Sequence, residues 1–447
     1  MRIIVLAGLI LLAASSARAQ EVPERLSLED ALRIARASSP AYSQAVNQLE
    51  SAAAQQRVGW AQFLPSLSTS LSFSASTSRA LSAVDEFGNV LEEPDYIERT
   101  NSNASQGIGL QMTLFDGFAN VNRARAARAG MQAAEAALDA AELQLRQEVM
   151  TAYFRAVQAD RQLEVARALL ASAREQLAMT EQRFQIGSAN REDVLGAQAT
   201  VARHERSVLQ AEGAVEKMRL DLLRVMGVKG QTDFTLTDGF PEVFDPSVLD
   251  VDALVEAAMA ASPRVAQREA EARRAELVAS ASRGARLPSI SGSLSYGRNT
   301  SRAQYDALFE LDPPNRSWGF SLNVTLPLFT RFQTSAEITQ ASVQAANARE
   351  QLRAERLAVE TEVRQALIDL VNAYRAVEIA DRTLALSQER LALTQERYRT
   401  GTTVSFLQLQ NAIDEAANAE QGAVQARFDF AAALVNLETK VGREVRP

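Results

Sequence analysis

The sequence predicts a mainly helical fold that also contributes four membrane β-strands to a barrel shared between copies of the chain. Two proline-free runs, Phe118 to Phe184 and Phe332 to Tyr398, can each form a helix of about 100 Å at ~1.5 Å per residue. The motifs around both runs occur twice in the same order, so the chain consists of two repeats. Each repeat also holds two stretches in which apolar and small polar residues alternate, which is typical of β-strands with one apolar face.

Residues 1–19 have the three parts of a secretory signal peptide. Arg2 is followed by an apolar run from Ile3 to Ala14 and by the small-x-small sequence Ala17-Arg18-Ala19, so cleavage is expected before Gln20. The apolar run is shorter than the ~18 residues that a membrane-spanning helix needs. We therefore expect an exported protein without a transmembrane helix, located in the periplasm, in the outer membrane or outside the cell.

The composition argues against several classes of protein. The absence of cysteine excludes disulfides, thiolate metal sites, catalytic thiols and the acceptor of an N-terminal lipid. Acidic residues outnumber basic ones, 55 to 47, and no basic patch with interleaved aromatic residues occurs, so we expect no nucleic-acid partner. Metal-spaced ligands, phosphate-binding glycine loops and nucleophile motifs are also missing, which predicts no metal, no cofactor and no enzymatic activity. The single histidine, His204, is expected to be a solvated helix residue.

The first repeat is predicted to span residues 20–226. It opens with two helices: Ser27 and Asp30 have the spacing of a capping box, and Pro40 separates the first helix from the second. The remaining elements are strands at about 64–76 and 104–115, a long helix over 118–186 and a return helix over 190–226.

The second repeat, residues 251–447, follows the same order. Val251 to Pro263 matches Leu28 to Pro40, and Thr394 to Gly401 matches Thr180 to Gly187. The inter-repeat segment, residues 227–250, is expected to pack against the side of the helices. The elements of the second repeat are strands at about 287–297 and 317–329, a long helix over 332–400 and a return helix over 404–441.

The predicted strands separate apolar from hydroxyl side chains. In the first strand, Leu67, Thr69, Leu71 and Phe73 alternate with serines, and the other three strands follow the same pattern. A face of small hydroxyl groups with almost no charge, on strands of about ten residues, is typical of outer-membrane barrels. The alternative is an antiparallel sheet that lies on a soluble core.

Closure of the barrel requires other copies of the chain. Four strands cannot close a barrel, and an open edge is not tolerated in lipid. Eight strands from a dimer or twelve from a trimer would both satisfy closure. The polar stretches at about Ser76 to Asn103 and Arg298 to Arg316 are predicted to be exterior loops, which places the helices of both repeats in the periplasm.

Each long helix carries two heptad seams on opposite sides, which predicts a neighbouring helix on each side. A wall or tube of helices satisfies this pattern. A soluble coiled-coil bundle is the alternative, although it leaves the strands unexplained. The seam residues of the first helix are Leu163, Leu170, Leu177 and Phe184 on one side and Val165, Ser172 and Met179 on the other; those of the second are Val377, Leu384, Leu391 and Tyr398, and Ile379, Leu386 and Leu393.

The doubled unit, the sequence Leu114-Phe115-Asp116-Gly117 before the long helix, and the paired turns that end at Gly187 and Gly401 make this chain resemble the TolC-type outer membrane factors. The resemblance implies a homotrimer in which a twelve-stranded outer-membrane barrel continues into a periplasmic tube of twelve helices. It also implies that the protein is the exit duct of a tripartite efflux pump or a type I secretion system. The implied partners are a periplasmic adaptor protein, an inner-membrane transporter and outer-membrane lipid.

The resemblance assigns roles at the helical turns. In the family, the turns form the periplasmic tips where the adaptor docks, and the closed entrance is held by an aspartate paired with a tyrosine. Asp193 and Tyr398 occupy those two positions here. The residues at the tips are Ile186, Gly187 and Ser188 in the first repeat and Thr400, Gly401 and Thr402 in the second.

This chain departs from the best-known gate of the family. Thr403 stands in place of a gate arginine, and Leu407 and Gln410 stand in place of two aspartates that ring the entrance. Glu192 and Asp193 are the remaining nearby carboxylates. The resemblance therefore implies a weaker lock and a less acidic ring, and an ordinary helix-capping role is the alternative for Asp193.

Two other functions remain open at this stage. One is an envelope-spanning structural protein without a conducting lumen, and the other is a soluble periplasmic coiled-coil adaptor. A wide wet lumen discriminates little between solutes, so the resemblance implies no particular substrate.

Overall fold

The computed structural model describes residues 23–84, 90–230, 232–303, 305–400 and 404–446. The predicted signal peptide lies outside these residues. The chain divides into two compact units. The first, here the helical unit, comprises Met1–Asn47, Ala136–Val265 and Ala354–Pro447, and the second, here the sheet unit, comprises Gln48–Glu135 and Ala266–Arg353.

Helices account for most of the described chain, and they occur in the same order in both repeats. No helix of the described residues combines the length and the apolar content that crossing a bilayer requires. The helices are α1 (Leu28–Ser38), α2 (Pro40–Ala61), α3 (Ala119–Gln185) and α4 (Arg191–Met226) in the first repeat, and α5 (Val251–Ala261), α6 (Pro263–Arg283), α7 (Gln333–Arg399) and α8 (Phe406–Val441) in the second.

Local chemistry sets the ends of several helices. Ser27 caps α1 by accepting a hydrogen bond from the Asp30 amide at 3.0 Å. Pro40 and Pro263 are the first residues of α2 and α6, where the missing N–H of proline costs no helical hydrogen bond. α4 ends at Gly227, whose φ of 75° is left-handed and where an added Cβ would lie 2.4 Å from the Ser38 carbonyl oxygen. Only glycine fits there.

The core of the helical unit is built around Tyr153 of α3, which is fully buried. Its hydroxyl donates to the Leu26 carbonyl at 3.0 Å and accepts from the Asp238 amide at 3.1 Å. Burial raises the pKa of this phenol. The inter-repeat segment reaches the same core through Phe234, which is buried, and Phe240, which contacts Phe154. Two short strands, β1 (Arg25–Leu26) and β4 (Thr235–Leu236), pair in parallel beside it.

The sheet unit contains a four-stranded antiparallel sheet in the order β2-β3-β5-β6. The strands are β2 (Ser66–Val84), β3 (Val90–Asp116), β5 (Ser289–Ala303) and β6 (Asn315–Thr325). The outer edges of β2 and β6 have no strand partner among the described residues.

The prediction of a polar loop from about Ser76 to Asn103 was wrong. β2 and β3 continue as a paired ladder to Ser82 and Asp95, and the Thr77 and Thr100 hydroxyls lie 2.8 Å apart across it. Cross-strand backbone bonds and hydroxyl pairs hold this part of the hairpin although few of its residues are apolar. Part of the second expected loop is also strand, because β5 runs to Ala303 and β6 begins at Asn315. β6 ends at Thr325, short of the expected residue 329, and Pro327 follows it.

The register places apolar and small residues on opposite faces of the sheet. Leu67, Leu110, Leu294 and Phe320 lie opposite one another across the four strands. The next row on the other face consists of Ser68, Gly109, Ser295 and Gly319. Leu67 and Phe320 are 73% and 67% exposed. The apolar face in this region is therefore not covered by any of the described residues.

Candidate functional site

The hairpin between α3 and α4 forms the first predicted tip. α3 ends in a left-handed Gly187 (φ 77°), and the Ser188 amide donates to the Arg183 carbonyl at 2.7 Å. This is the hydrogen-bond pattern of a glycine-terminated helix. No heavy atom lies within 4 Å of an added Cβ at Gly187, so the backbone conformation rather than crowding requires glycine. Ile186 is 75% exposed and Ser188 is also exposed.

Asp193 takes part in a complete capping box at the start of α4. Its amide donates to Asn190 Oδ1 at 2.8 Å, and its carboxylate accepts from the Asn190 amide at 3.1 Å. Two helix-terminal N–H groups are satisfied in this way. Glu192, beside it, is exposed. The structure therefore gives Asp193 a structural contact, and it leaves the carboxylate of Glu192 at the surface.

The second predicted tip lies between α7 and α8. Thr400 is exposed, whereas Gly401, Thr402 and Thr403 lie outside the described residues. α8 begins with a capping box in which the Gln408 amide donates to Ser405 Oγ at 3.3 Å and the Ser405 amide donates to Gln408 Oε1 at 3.0 Å. Leu407 in the first turn is 67% exposed.

Tyr398 lies inside the protomer near this tip. It is 6% exposed and packs with Leu409 and Ile413 of α8. The Arg183 guanidinium lies over its ring, 4.4 Å from the centroid, and Arg183 Nη1 donates to the Tyr398 carbonyl at 2.9 Å. Arg183 belongs to α3 and Tyr398 to α7, so this contact ties the two hairpins together.

Gln410 is also inside the protomer. It is 9% exposed, accepts a hydrogen bond from Thr200 Oγ1 at 3.1 Å and donates to Asp414 Oδ1 at 3.2 Å. The contact with Thr200 joins α8 to α4. Asp414 also lies 4.0 Å from the Arg203 guanidinium.

The expectation that His204 is solvated was wrong. The residue is 7% exposed, and its Nε2 atom is buried without a hydrogen-bond partner among the described residues. Burial lowers its pKa, and the charge of Asp414 offsets this effect only in part, while Arg203 adds to it. A neutral imidazole is the form that this position favours.

The sequence-predicted site residues thus have different environments in the structure. Tyr398 and Gln410 are buried in helix contacts, Asp193 serves a helix cap, and Glu192 and Leu407 face solvent. Sequence reasoning assigned no role to Arg183. An arginine followed by an aromatic residue occurs at both turns, Arg183-Phe184 and Arg397-Tyr398. This repetition is the feature of the sequence that could have pointed to Arg183. Within the described part of the chain, no three acidic or histidine side chains are grouped in a way that could hold a metal.

The sequence matches a known protein family along most of its length. The model of the outer membrane efflux protein family matches residues 31–228 and 254–443. Protein CyaE of Bordetella pertussis is 28% identical over 378 residues, which cover 84% of this chain and 76% of CyaE. The outer membrane efflux protein BepC of Brucella suis is 26% identical, over 75% of this chain and 72% of BepC.

The fold also has solved relatives. The Campylobacter jejuni CmeC outer membrane channel superposes with a TM-score of 0.74 at 19% identity, covering 94% of this chain and 87% of that one. At this level of identity the likeness concerns the fold.

Proposed function

Because the chain belongs to the outer membrane efflux protein family, we propose that three copies of it form an outer-membrane channel that carries exported substrates to the cell exterior. A periplasmic adaptor protein and an inner-membrane transporter deliver the substrate to the helical end. The transporter belongs to a tripartite efflux pump or to a type I secretion system.

The four-stranded sheet is the observation that carries this proposal. One face presents rows such as Leu67, Leu110, Leu294 and Phe320, and the other presents serine and glycine. Both edges lack a partner among the described residues, and unpaired backbone groups are very costly in lipid. Additional copies of the chain satisfy these edges, with the apolar face toward lipid and the small polar face toward a wet lumen.

The second seam of α7 supports association along the helices. Ile379, Leu386 and Leu393 are 63%, 61% and 55% exposed. The equivalent seam residues of α3, Val165, Ser172 and Met179, are buried or half-buried. α7 therefore offers an apolar seam that a neighbouring copy can cover. Three copies provide the twelve strands that the resemblance implies.

The helical tips form the gate in this proposal. Asp193 and Tyr398 hold the closed entrance, Arg183 fixes the position of Tyr398, and Glu192, Thr403 and Leu407 lie around the opening. Gln410, the other residue expected there, instead joins α8 to α4 through Thr200. The low charge of this set agrees with a weak lock. The adaptor docks on the hairpin ends, at Ile186, Gly187, Ser188, Thr400, Gly401 and Thr402.

The mass of the purified protein tests the assembly. Native mass spectrometry in detergent should give three copies for the wild type. Leu386→Lys places a charge in the exposed seam and should shift the distribution toward monomer, whereas Ala385→Lys, which is exposed on a face between the two seams, should leave three copies. A monomeric wild type would contradict the proposal. A soluble adaptor would instead leave the membrane fraction in high salt without detergent.

A further inference from the structure

The loop between β5 and β6 folds back onto the apolar face of the sheet. The Ala307 amide donates to Ser102 Oγ at 3.0 Å, and the Phe309 ring lies 5.4 Å from that of Phe73. Ser102 and Phe73 share the face of Leu67 and Leu110, because side chains two residues apart point the same way. Residues 305–312 are called the strap below.

Two ion pairs hold the strap to β5. Arg298 pairs with Asp312, and Arg302 lies 3.5 Å from Glu310. Gln106 of β3 also donates a side-chain hydrogen bond to the Leu311 carbonyl. Because contacts along its length fix the strap, the direction of its side chains is defined by the fold.

The strap covers polar side chains of the sheet and presents exposed apolar side chains beside the exposed carboxylates of Asp306 and Asp312. Beneath it, Ser102 and Thr300 are 0% and 4% exposed. On its outer side, Tyr305, Phe309 and Leu311 are 61%, 70% and 71% exposed. Phe309 also has a left-handed backbone (φ 66°), which is unfavourable for a bulky side chain. Exposure of three large apolar side chains in one short segment is unfavourable in water.

These apolar side chains continue the lipid-facing surface of the barrel. The row of Tyr296 and Trp318 ends the apolar band, and Arg298 and Arg316 form the next row on the same face. The strap lies at and beyond that row. Aromatic and arginine side chains at such a boundary are typical of the level of the lipid head groups.

We propose that the strap inserts Tyr305, Phe309 and Leu311 into the outer leaflet, at the boundary between head groups and acyl chains. The inference rests on the proposed function, since it requires the sheet to be in a membrane. Lipid is the occupant because the strap adjoins the lipid-facing band. The strap anchors the exterior end of each protomer and extends the apolar surface beyond the strands.

Single labels test this contact, since the chain has no cysteine. Phe309→Cys and Leu311→Cys are labelled with an environment-sensitive fluorophore and reconstituted into phosphatidylcholine vesicles that carry nitroxides on the head group or deep in the acyl chain. Asn299→Cys is the matched control, because Asn299 lies beside Arg298 and Thr300 on the opposite face. Leu294→Cys reports on the apolar band.

Head-group nitroxides should quench the labels at Phe309 and Leu311 several-fold more than the label at Asn299, and acyl-chain nitroxides should quench the label at Leu294. If the labels at Phe309 and Leu311 are quenched no more than the label at Asn299 while the label at Leu294 is still quenched, the strap proposal is overturned but the proposed function is not. An unquenched label at Leu294 would overturn the membrane placement of the sheet and with it this inference.

Discussion

The guanidinium of Arg183 lies 4.4 Å from the ring centroid of Tyr398 and donates a 2.9 Å hydrogen bond to the carbonyl of the same residue. The two residues come from different repeats and different hairpins. Tyr398 is otherwise enclosed by Leu409 and Ile413. Movement of one hairpin away from the other must break this contact, so in the proposed gate it contributes to the free energy of opening.

Removal of the Arg183 side chain should favour the open channel. The ring contact and the hydrogen bond together contribute about 2 kcal/mol, so Arg183→Ala should raise the ratio of open to closed states about thirtyfold. Single-channel recording measures this ratio directly. Arg174→Ala is the control. Arg174 is on α3, as Arg183 is, and forms an exposed salt bridge with Glu205 of α4, so its removal should change the ratio of open to closed states little. Equal open probabilities in the two variants would exclude a gating role for Arg183.

Two neighbouring substitutions separate the two roles of Asp193. Asn190→Ala and Asp193→Ala both break the capping box and should each cost about 1 kcal/mol of stability. Only Asp193→Ala removes the proposed gate carboxylate, so it should also raise the conductance. If both variants conduct alike, Asp193 is a helix cap and nothing more.

His204 should make the helical unit less stable in acid. Burial lowers its folded-state pKa below the usual 6.5, so the unfolded chain binds the proton more tightly. The stability contributed by the neutral imidazole is therefore present above pH 6.5 and is lost as the pH falls through the folded-state pKa. Thermal melts of wild type and His204→Gln, followed by circular dichroism between pH 8 and pH 5, should show an additional acid loss in the wild type only. Parallel pH profiles would show that His204 does not titrate on unfolding.

Adjacent residues of β6 should respond oppositely to a charge. Phe320→Arg places a cation on the apolar face, which costs roughly 2–4 kcal/mol near the membrane midplane, and should reduce the amount of assembled protein in outer-membrane fractions. Ser321 is on the small polar face, which faces the lumen in the proposed channel, so Ser321→Arg should assemble normally while lowering the conductance to cations. Assembly of both variants at wild-type levels would argue for a sheet that does not face lipid.

The sequence was most informative where a short period repeats. The alternation at Leu67 to Phe73 predicted the apolar face, and the two proline-free runs predicted α3 and α7. The family match confirms the resemblance and the outer-membrane location. The extension of β2 and β3 toward Val84 and Val90 could not be predicted in this way, because most of its residues are polar and the few apolar ones do not form a regular alternation.

The tips were harder to predict, because burial there depends on contacts between helices distant in sequence. His204 lies among charged residues in the sequence, yet it is enclosed in the folded chain near Asp414. Gln410 was expected at an entrance ring, yet it bonds to Thr200 of the other repeat. The strap was expected to be part of a polar loop, although it includes Phe309 and Leu311.

Ionic current through the purified oligomer in a planar bilayer tests the central claim most directly. A gated channel predicts discrete current steps, small in the wild type and larger in the Arg183→Ala/Asp193→Ala double variant. Absence of current steps from both proteins, with insertion into the bilayer verified independently, would contradict a conducting duct and favour a structural protein of the envelope.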